Sequence, residues 1–187
     1  YIEVKIIVFF SGTGSNLESI IHHQKTYGYK VTGSFCNNPD AAGIKISEDH
    51  NIACYVLNSK NFDDRNEYDK KISDYLEAQD FDYIILAGYM RILSKFFVQN
   101  WEGQIINIHP SLLPKYPGLD THKRALENQD KYHGTTIHYV TEELDAGPII
   151  RQERIEIEPN ESIESLIERV KSLENKIYPE TIGTLIT

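Results

Sequence analysis

The sequence predicts an α/β protein: a mainly parallel, twisted sheet with helices on both faces, its late strands left open to antiparallel pairing. Three observations carry this. Short β-branched and aromatic runs alternate with helical patterns up to His109, the mark of parallel strands joined by right-handed crossovers. The first run ends in a glycine-rich turn that opens directly into a helical pattern. A chain of 187 residues, 40% hydrophobic and 25% charged, suffices for one well-buried core and not for two ordinary domains, so residues 1–187 are expected to form a single domain.

Val4 to Phe10 is the first expected strand, followed by the turn Ser11-Gly12-Thr13-Gly14-Ser15-Asn16. Leu17 to Gln24 has apolar residues at helical spacing. Further strands are expected over Val31 to Cys36, Ala53 to Leu57, Tyr83 to Ala87 and Ile105 to Ile108, with helices near Ala41 to Asp49 and Arg65 to Gln79 between them. Beyond His109, Pro114, Pro117 and Gly118 interrupt any regular pattern, so the first half of Ser111 to Lys131 reads as a mobile loop and Thr121 to Asn128 as a short helix. Thr135 to Val140 and Ile149 to Ile157 are the late strands. An amphipathic helix from about Ser162 to Tyr178 closes the chain, with Glu161 and Glu164 suited to its positive end.

A formal net charge of −9 argues against a broad polyphosphate-binding surface, because nonspecific nucleic-acid affinity rests on many Lys and Arg contacts. Nucleic acid is therefore not an expected partner. Nor is a membrane: the longest late apolar run, Tyr83 to Met90, falls short of the roughly 20 residues a spanning helix needs, and nothing resembles a signal peptide. Cys36 and Cys54 offer neither a disulfide framework nor metal-ligand spacing. They are expected as small buried groups in a reducing, cytoplasmic setting, and no metal is expected.

Two stretches carry chemistry. The turn at 11–16 lets backbone N–H groups meet an anion at a helix N-terminus. It departs from a dinucleotide fingerprint, since Leu17 stands where the third glycine would and Asn37 and Asn38 where an acidic residue would end the second strand. A phosphate monoester suits it better; on the pattern alone, a plain strand-to-helix connection is an equal reading. The second stretch is Asn107-Ile108-His109-Pro110-Ser111-Leu112-Leu113-Pro114, with Leu144-Asp145-Ala146-Gly147-Pro148 downstream. Asn107 and His109, two apart on a strand, point to one face, and Pro110 ends the ladder just beyond. An amide and an imidazole in one volume, with a carboxylate such as Asp145 to orient the imidazole and favour its charged form, would stabilise an oxyanion. By spacing alone the pair is more often a turn former beside a solvated histidine.

The strings NIHPSLLPKYPG and HGTTIHYVTEELDAGPII resemble the formyltransferase family that uses 10-formyltetrahydrofolate, and the likeness runs from the first loop to the last helix. It implies a Rossmann-like formyltransferase fold and a catalytic trio of Asn107, His109 and Asp145. SGTGSNL is similar to the phosphate loop of the branch that formylates glycinamide ribonucleotide in purine biosynthesis. That likeness implies that Gly12, Thr13, Gly14, Ser15 and Asn16 hold the ribonucleotide phosphate, and that Glu174 serves its ribose with Lys171 near the same substrate. On composition alone Glu174 would be an exposed helical glutamate. Met90, Arg91, Ile92 and Leu93 would line the pterin pocket largely through backbone groups, Thr141, Glu142, Glu143 and Leu144 would wrap the pterin, and Arg65 would lie close to the folate. Without the resemblance, Arg65 and Arg91 read as surface arginines. Residue 120, often histidine in bacterial relatives, is Asp120 here and takes no role.

The implied reaction is direct attack of the ribonucleotide amine on the formyl carbon. Asn107 and protonated His109 would donate to the developing oxyanion; Asp145 would keep His109 charged and help move a proton through water. The expected partners are thus two small molecules, glycinamide ribonucleotide and 10-formyltetrahydrofolate as co-substrate. The rivals are a deformylase, which shares the trio but needs no ribonucleotide loop, and a non-catalytic phosphate-binding protein, which needs the loop but not the trio. His138 reads equally as site-facing or structural, and His22, His23, His50 and His133 have no evident partner.

Overall fold

The computed structural model describes residues 2–187. Its strands are β1 (Val4–Phe10), β2 (Tyr29–Cys36), β3 (Cys54–Val56), β4 (Tyr83–Leu86), β5 (Ile105–His109), β6 (Tyr132–Tyr139) and β7 (Ile149–Glu156). They form one sheet in the order β3-β2-β1-β4-β5-β6-β7. The first five pair in parallel, whereas β6 runs antiparallel to both β5 and β7. The helices are α1 (Ser15–His22), α2 (Gln24–Tyr27), α3 (Gly43–Asp49), α4 (Arg65–Glu77), α5 (Lys95–Asn100), α6 (Thr121–Glu127) and α7 (Ile163–Ile182).

Burial follows the two-residue period of a strand. Val4, Ile6, Val8 and Phe10 of β1 join Ile106 and Ile108 of β5 in one core, covered by Leu17 and Ile20 of α1 and by Ile177 and Tyr178 of α7. Ile7 and Phe9 face a second core with Ile84, Leu86 and Ile105, covered by Tyr68, Ile72 and Leu76 of α4 and Phe97 of α5. Helices thus lie on both faces, as expected for a largely parallel sheet. The Tyr178 hydroxyl reaches the Leu86 carbonyl at 2.8 Å, tying α7 to the end of β4.

From β1 the chain steps outward through β2 to β3, then returns to place β4 on the other side of β1. This reversal opens a crevice at the strand C-termini, where open α/β sheets bind ligands. Ser11 links its two walls: its N–H donates to the Gly88 carbonyl and its hydroxyl accepts from Met90 N–H at 2.8 Å.

Several bounds differ from the sequence reading. The first helix stops at His22, and α2 ends at Gly28, whose φ of 76° supplies a left-handed cap. The six-residue α5, with Ser94 accepting from Phe97 N–H at its N-cap, is too short to show a helical period. The last helix continues past Pro179 to Ile182. Proline removes the N–H that would bond the carbonyl four residues back, and that carbonyl, of Asn175, instead accepts from the Ser19 hydroxyl of α1 at 2.5 Å. Cys36 is buried and Cys54 half-buried, and both are free thiols.

Candidate active site

The turn after β1 forms the floor of a cavity of about 510 Å³, lined by Ser11, Gly12, Thr13, Gly14, Ser15 and Asn16 and walled by the ends of β2, β3 and β4. No side chain caps α1, whose N-cap is Gly14, so the first-turn N–H groups face the cavity with the helix dipole behind them. Gly14 has φ +76°, and a Cβ there would lie 2.9 Å from the Gly43 Cα. Gly43 N–H in turn donates to the Gly12 carbonyl at 3.0 Å, so the turn rests on the start of α3. Gly12 is different: a Cβ there meets nothing within 4 Å. Asn37, Asn38, Asn58, Ser59 and Lys60 complete the wall. Sequence reasoning did not assign them to a ligand, although their place at the ends of successive strands was the available signal.

On β5, Asn107 and His109 lie on the face of α4 and α5, as their spacing requires. His109 Nδ1 lies 3.7 Å from Asp145 Oδ2, both side chains only 8% exposed. That is an ion-pair separation, too long for a hydrogen bond. The ring's hydrogen-bond partner is one the sequence did not reveal: Nε2 donates to the backbone carbonyl of Tyr116 at 2.8 Å. Asp145 Oδ2 accepts from Gly118 N–H at 2.8 Å. The stretch expected as a mobile loop is therefore bonded to both groups, with the Leu113-Pro114 peptide cis and the Thr121 hydroxyl donating to the Pro110 carbonyl. The Asn107 amide makes no hydrogen bond to the described residues and is half-buried.

Glu174 is not the exposed glutamate its composition suggests. It is 9% exposed, accepts from the Thr135 hydroxyl at 3.0 Å, and burial pushes its carboxyl up to about 7. Lys171, one turn earlier, is near enough to oppose that rise. The Thr135 hydroxyl also contacts the His109 carbonyl at 2.9 Å, linking Glu174 to the end of β5.

The histidines have partners after all. His138 sits directly across from Asn107 on β6; its Nδ1 donates to the Tyr139 carbonyl, and burial holds its pKa below the usual histidine value. His133 Nε2 and His122 Nδ1 are 3.1 Å apart, and burial together with His122 takes His133 down to about 4. His23 and His50 each bond a carbonyl four residues back, and the His22 ring packs edge-on against His23.

A second cavity, of about 580 Å³, lies on the α5 side and is lined by Val98, Tyr139, Val140, Thr141, Glu142 and Glu143 among others. Leu144 lies beyond it and is exposed. Glu142 is held to α5 by Gln99 at 2.5 Å and Lys95 at 3.5 Å. Of the 90–93 stretch, Met90 lines the first cavity and is exposed. Arg91 is not free in solvent, since its guanidinium stacks 4.5 Å from the centre of the Tyr68 ring. Ile92 is exposed, Leu93 packs on the second core, and Arg65 is exposed at the first turn of α4. Among the described residues no cluster of His, Cys, Asp and Glu is placed to hold a metal ion, and no helix is long and apolar enough to cross a membrane.

Asn107, His109 and Asp145 thus gather at the end of a central strand, and a separate cavity lies at the strand-order reversal, the place where open α/β sheets bind ligands. The family model described as formyl transferase matches residues 4–182, and the chain belongs to the formyl transferase family. Within it, the chain is 44% identical over 182 residues to the phosphoribosylglycinamide formyltransferase of Escherichia coli (strain K12), covering 96% of this chain and 86% of that protein. It is 37% identical to the phosphoribosylglycinamide formyltransferase of Bacillus subtilis (strain 168), covering 97% and 94%. The crystal structure of glycinamide ribonucleotide transformylase 1 from Geobacillus kaustophilus superposes with a TM-score of 0.95 at 34% identity, covering all of both chains.

Proposed function

We propose that this enzyme transfers the formyl group of 10-formyltetrahydrofolate to the primary amine of glycinamide ribonucleotide in purine biosynthesis, yielding tetrahydrofolate and formylglycinamide ribonucleotide. The observation that carries the reading is the free Asn107 amide two residues from His109, whose ring faces the Asp145 carboxylate at 3.7 Å. The amine attacks the formyl carbon, forming the new C–N bond while the carbonyl electrons move to oxygen. Asn107 and charged His109 donate to that oxygen, which is where preorganised donors act most strongly. Collapse breaks the bond to the folate nitrogen, and the proton lost by the amine reaches that nitrogen through water beside Asp145.

In this reading the two substrates occupy separate cavities. The cradle of Gly12, Thr13, Gly14, Ser15 and Asn16 takes the phosphate, and Glu174 with Lys171 lies toward the ribose. The α5-side cavity, with Thr141, Glu142, Glu143 and Leu144 and the 90–93 stretch, takes the pterin, with Arg65 and Arg91 toward the folate tail. Both substrates would be served by one domain spanning residues 1–187 in a cytoplasmic setting, with no metal in the chemistry. The test is product formation from both substrates. Release of formate from the folate without added ribonucleotide would favour a deformylase, and phosphate binding without turnover a non-catalytic protein.

A further inference from the structure

The segment that touches the catalytic pair does so only through its backbone. The Tyr116 carbonyl accepts from His109 Nε2 and the Gly118 N–H donates to Asp145 Oδ2, each at 2.8 Å. The two carbonyls interleaved with these groups, of Pro117 and Leu119, both accept from Arg124 Nη1, at 2.7 and 3.1 Å. The Arg124 guanidinium also lies 4.9 Å from the centre of the Tyr116 ring. At the far end of that ring the hydroxyl donates to Asp130 Oδ2 at 2.6 Å and accepts from Asn128 Nδ2 at 3.1 Å. Tyr116 holds φ +55°, a left-handed conformation that costs energy for a bulky residue and persists only where its surroundings fix it.

We infer that Arg124 is a positioning residue for catalysis: by holding the Pro117 and Leu119 carbonyls it sets the Tyr116 carbonyl and the Gly118 N–H, which orient His109 and Asp145 respectively. The inference rests on the formyl-transfer reading of that pair. A carbonyl can only accept, so His109 must carry its hydrogen on Nε2 whenever the ring is neutral. Nδ1 is then the nitrogen that gains and loses a proton, and it is the one facing Asp145. The second shell that fixes a functional imidazole is here a loop carbonyl, with Asp145 acting through charge across 3.7 Å. A single lysine ammonium, a point charge without the planar fork, cannot reproduce two carbonyl bonds and a stacked ring together.

The test is Arg124→Ala, a half-buried surface position, with Arg124→Lys and Tyr116→Phe beside it. Imidazole nitrogen NMR on the free protein at alkaline pH should show His109 as a single Nε2–H tautomer in wild type and a mixture in Arg124→Ala. Turnover number should fall about tenfold to a hundredfold, the range that small misplacements of reacting groups produce, with KM for both substrates within about twofold. Arg124→Lys should recover little, and Tyr116→Phe, which loses the Asp130 and Asn128 bonds but keeps the ring beside Arg124, should shift the tautomer ratio less. A merely structural arginine would lower the melting temperature and leave the tautomer alone. An unchanged Nε2–H tautomer with wild-type turnover in Arg124→Ala would overturn the inference. Absence of formyl transfer by wild type would instead defeat the functional reading, while the tautomer measurement still decides the clamp.

Discussion

At the scale of single residues, the strongest expectation concerns the two side chains proposed to donate to the oxyanion. Asn107→Ala and His109→Ala should each lower kcat by about 100- to 1000-fold while substrate affinity holds, as single-turnover rates on folded protein would show. Glu174 allows a test without substrate. Its carboxyl titrates near 7 when folded against an ordinary 4.5, so between those values the folded state binds more protons than the unfolded one. Its contribution to stability is therefore greatest below pH 4.5, declines as pH rises toward 7, and above that is a cost of about 3 kcal/mol. Glu174→Gln should be the more stable protein at pH 8 and equal to wild type at pH 4 in chemical denaturation; the same difference at both would remove the buried-carboxyl account. The composition reading missed this burial, although the spacing carried the signal: Leu166, Val170 and Glu174 recur every four residues on what is the buried stripe of α7. The partner of His109 was not, because it is a backbone carbonyl and any residue supplies one.

At the scale of elements, the strands of the sequence reading hold nearly to their bounds, since β-branched runs bounded by polar turns are local signals. The ends of helices depend on distant groups and were less legible. The extension of α7 past Pro179 is the clearest case, for it needs a hydroxyl from α1 to reach the Asn175 carbonyl. Ser19→Ala should therefore cost about 1–3 kcal/mol, the range for a polar group left unsatisfied. In a Pro179→Ala background, where a backbone N–H can serve the carbonyl, the cost should shrink; equal cost in both backgrounds would mean that the bond does not support the helix. The turn at 11–16 was readable as a tight connection from strand to helix, but not its seat against Gly43 of α3. A side chain at position 14 would strike that seat, so Gly14→Val should lose folding stability and makes a poor probe of binding.

At the scale of the molecule, the two cavities share no lining residue: one lies at the strand C-termini above the turn after β1, the other beside α5 and the segment after β6. Gly12→Val, with open space around the new side chain, should keep the fold, raise KM for the ribonucleotide strongly by crowding the backbone donors, and leave folate-analogue affinity unchanged in titration calorimetry. Loss of both affinities together would mean that the sites are not separate. The strand-order reversal that creates the crevice also sets a timetable for synthesis. With β1, β2 and β3 the ribosome delivers one finished flank of the sheet; β4 then adds to the open edge of β1, and from β5 onward each new strand finds the preceding one as an open edge beside it. Assembly can thus advance with the emerging chain. The hydrophobic face of α1 is an exception, because its cover, α7, is among the last residues made. Until α7 emerges, the nascent protein carries a sticky helix beside a nearly complete sheet, and that interval is when a chaperone would have most to hold.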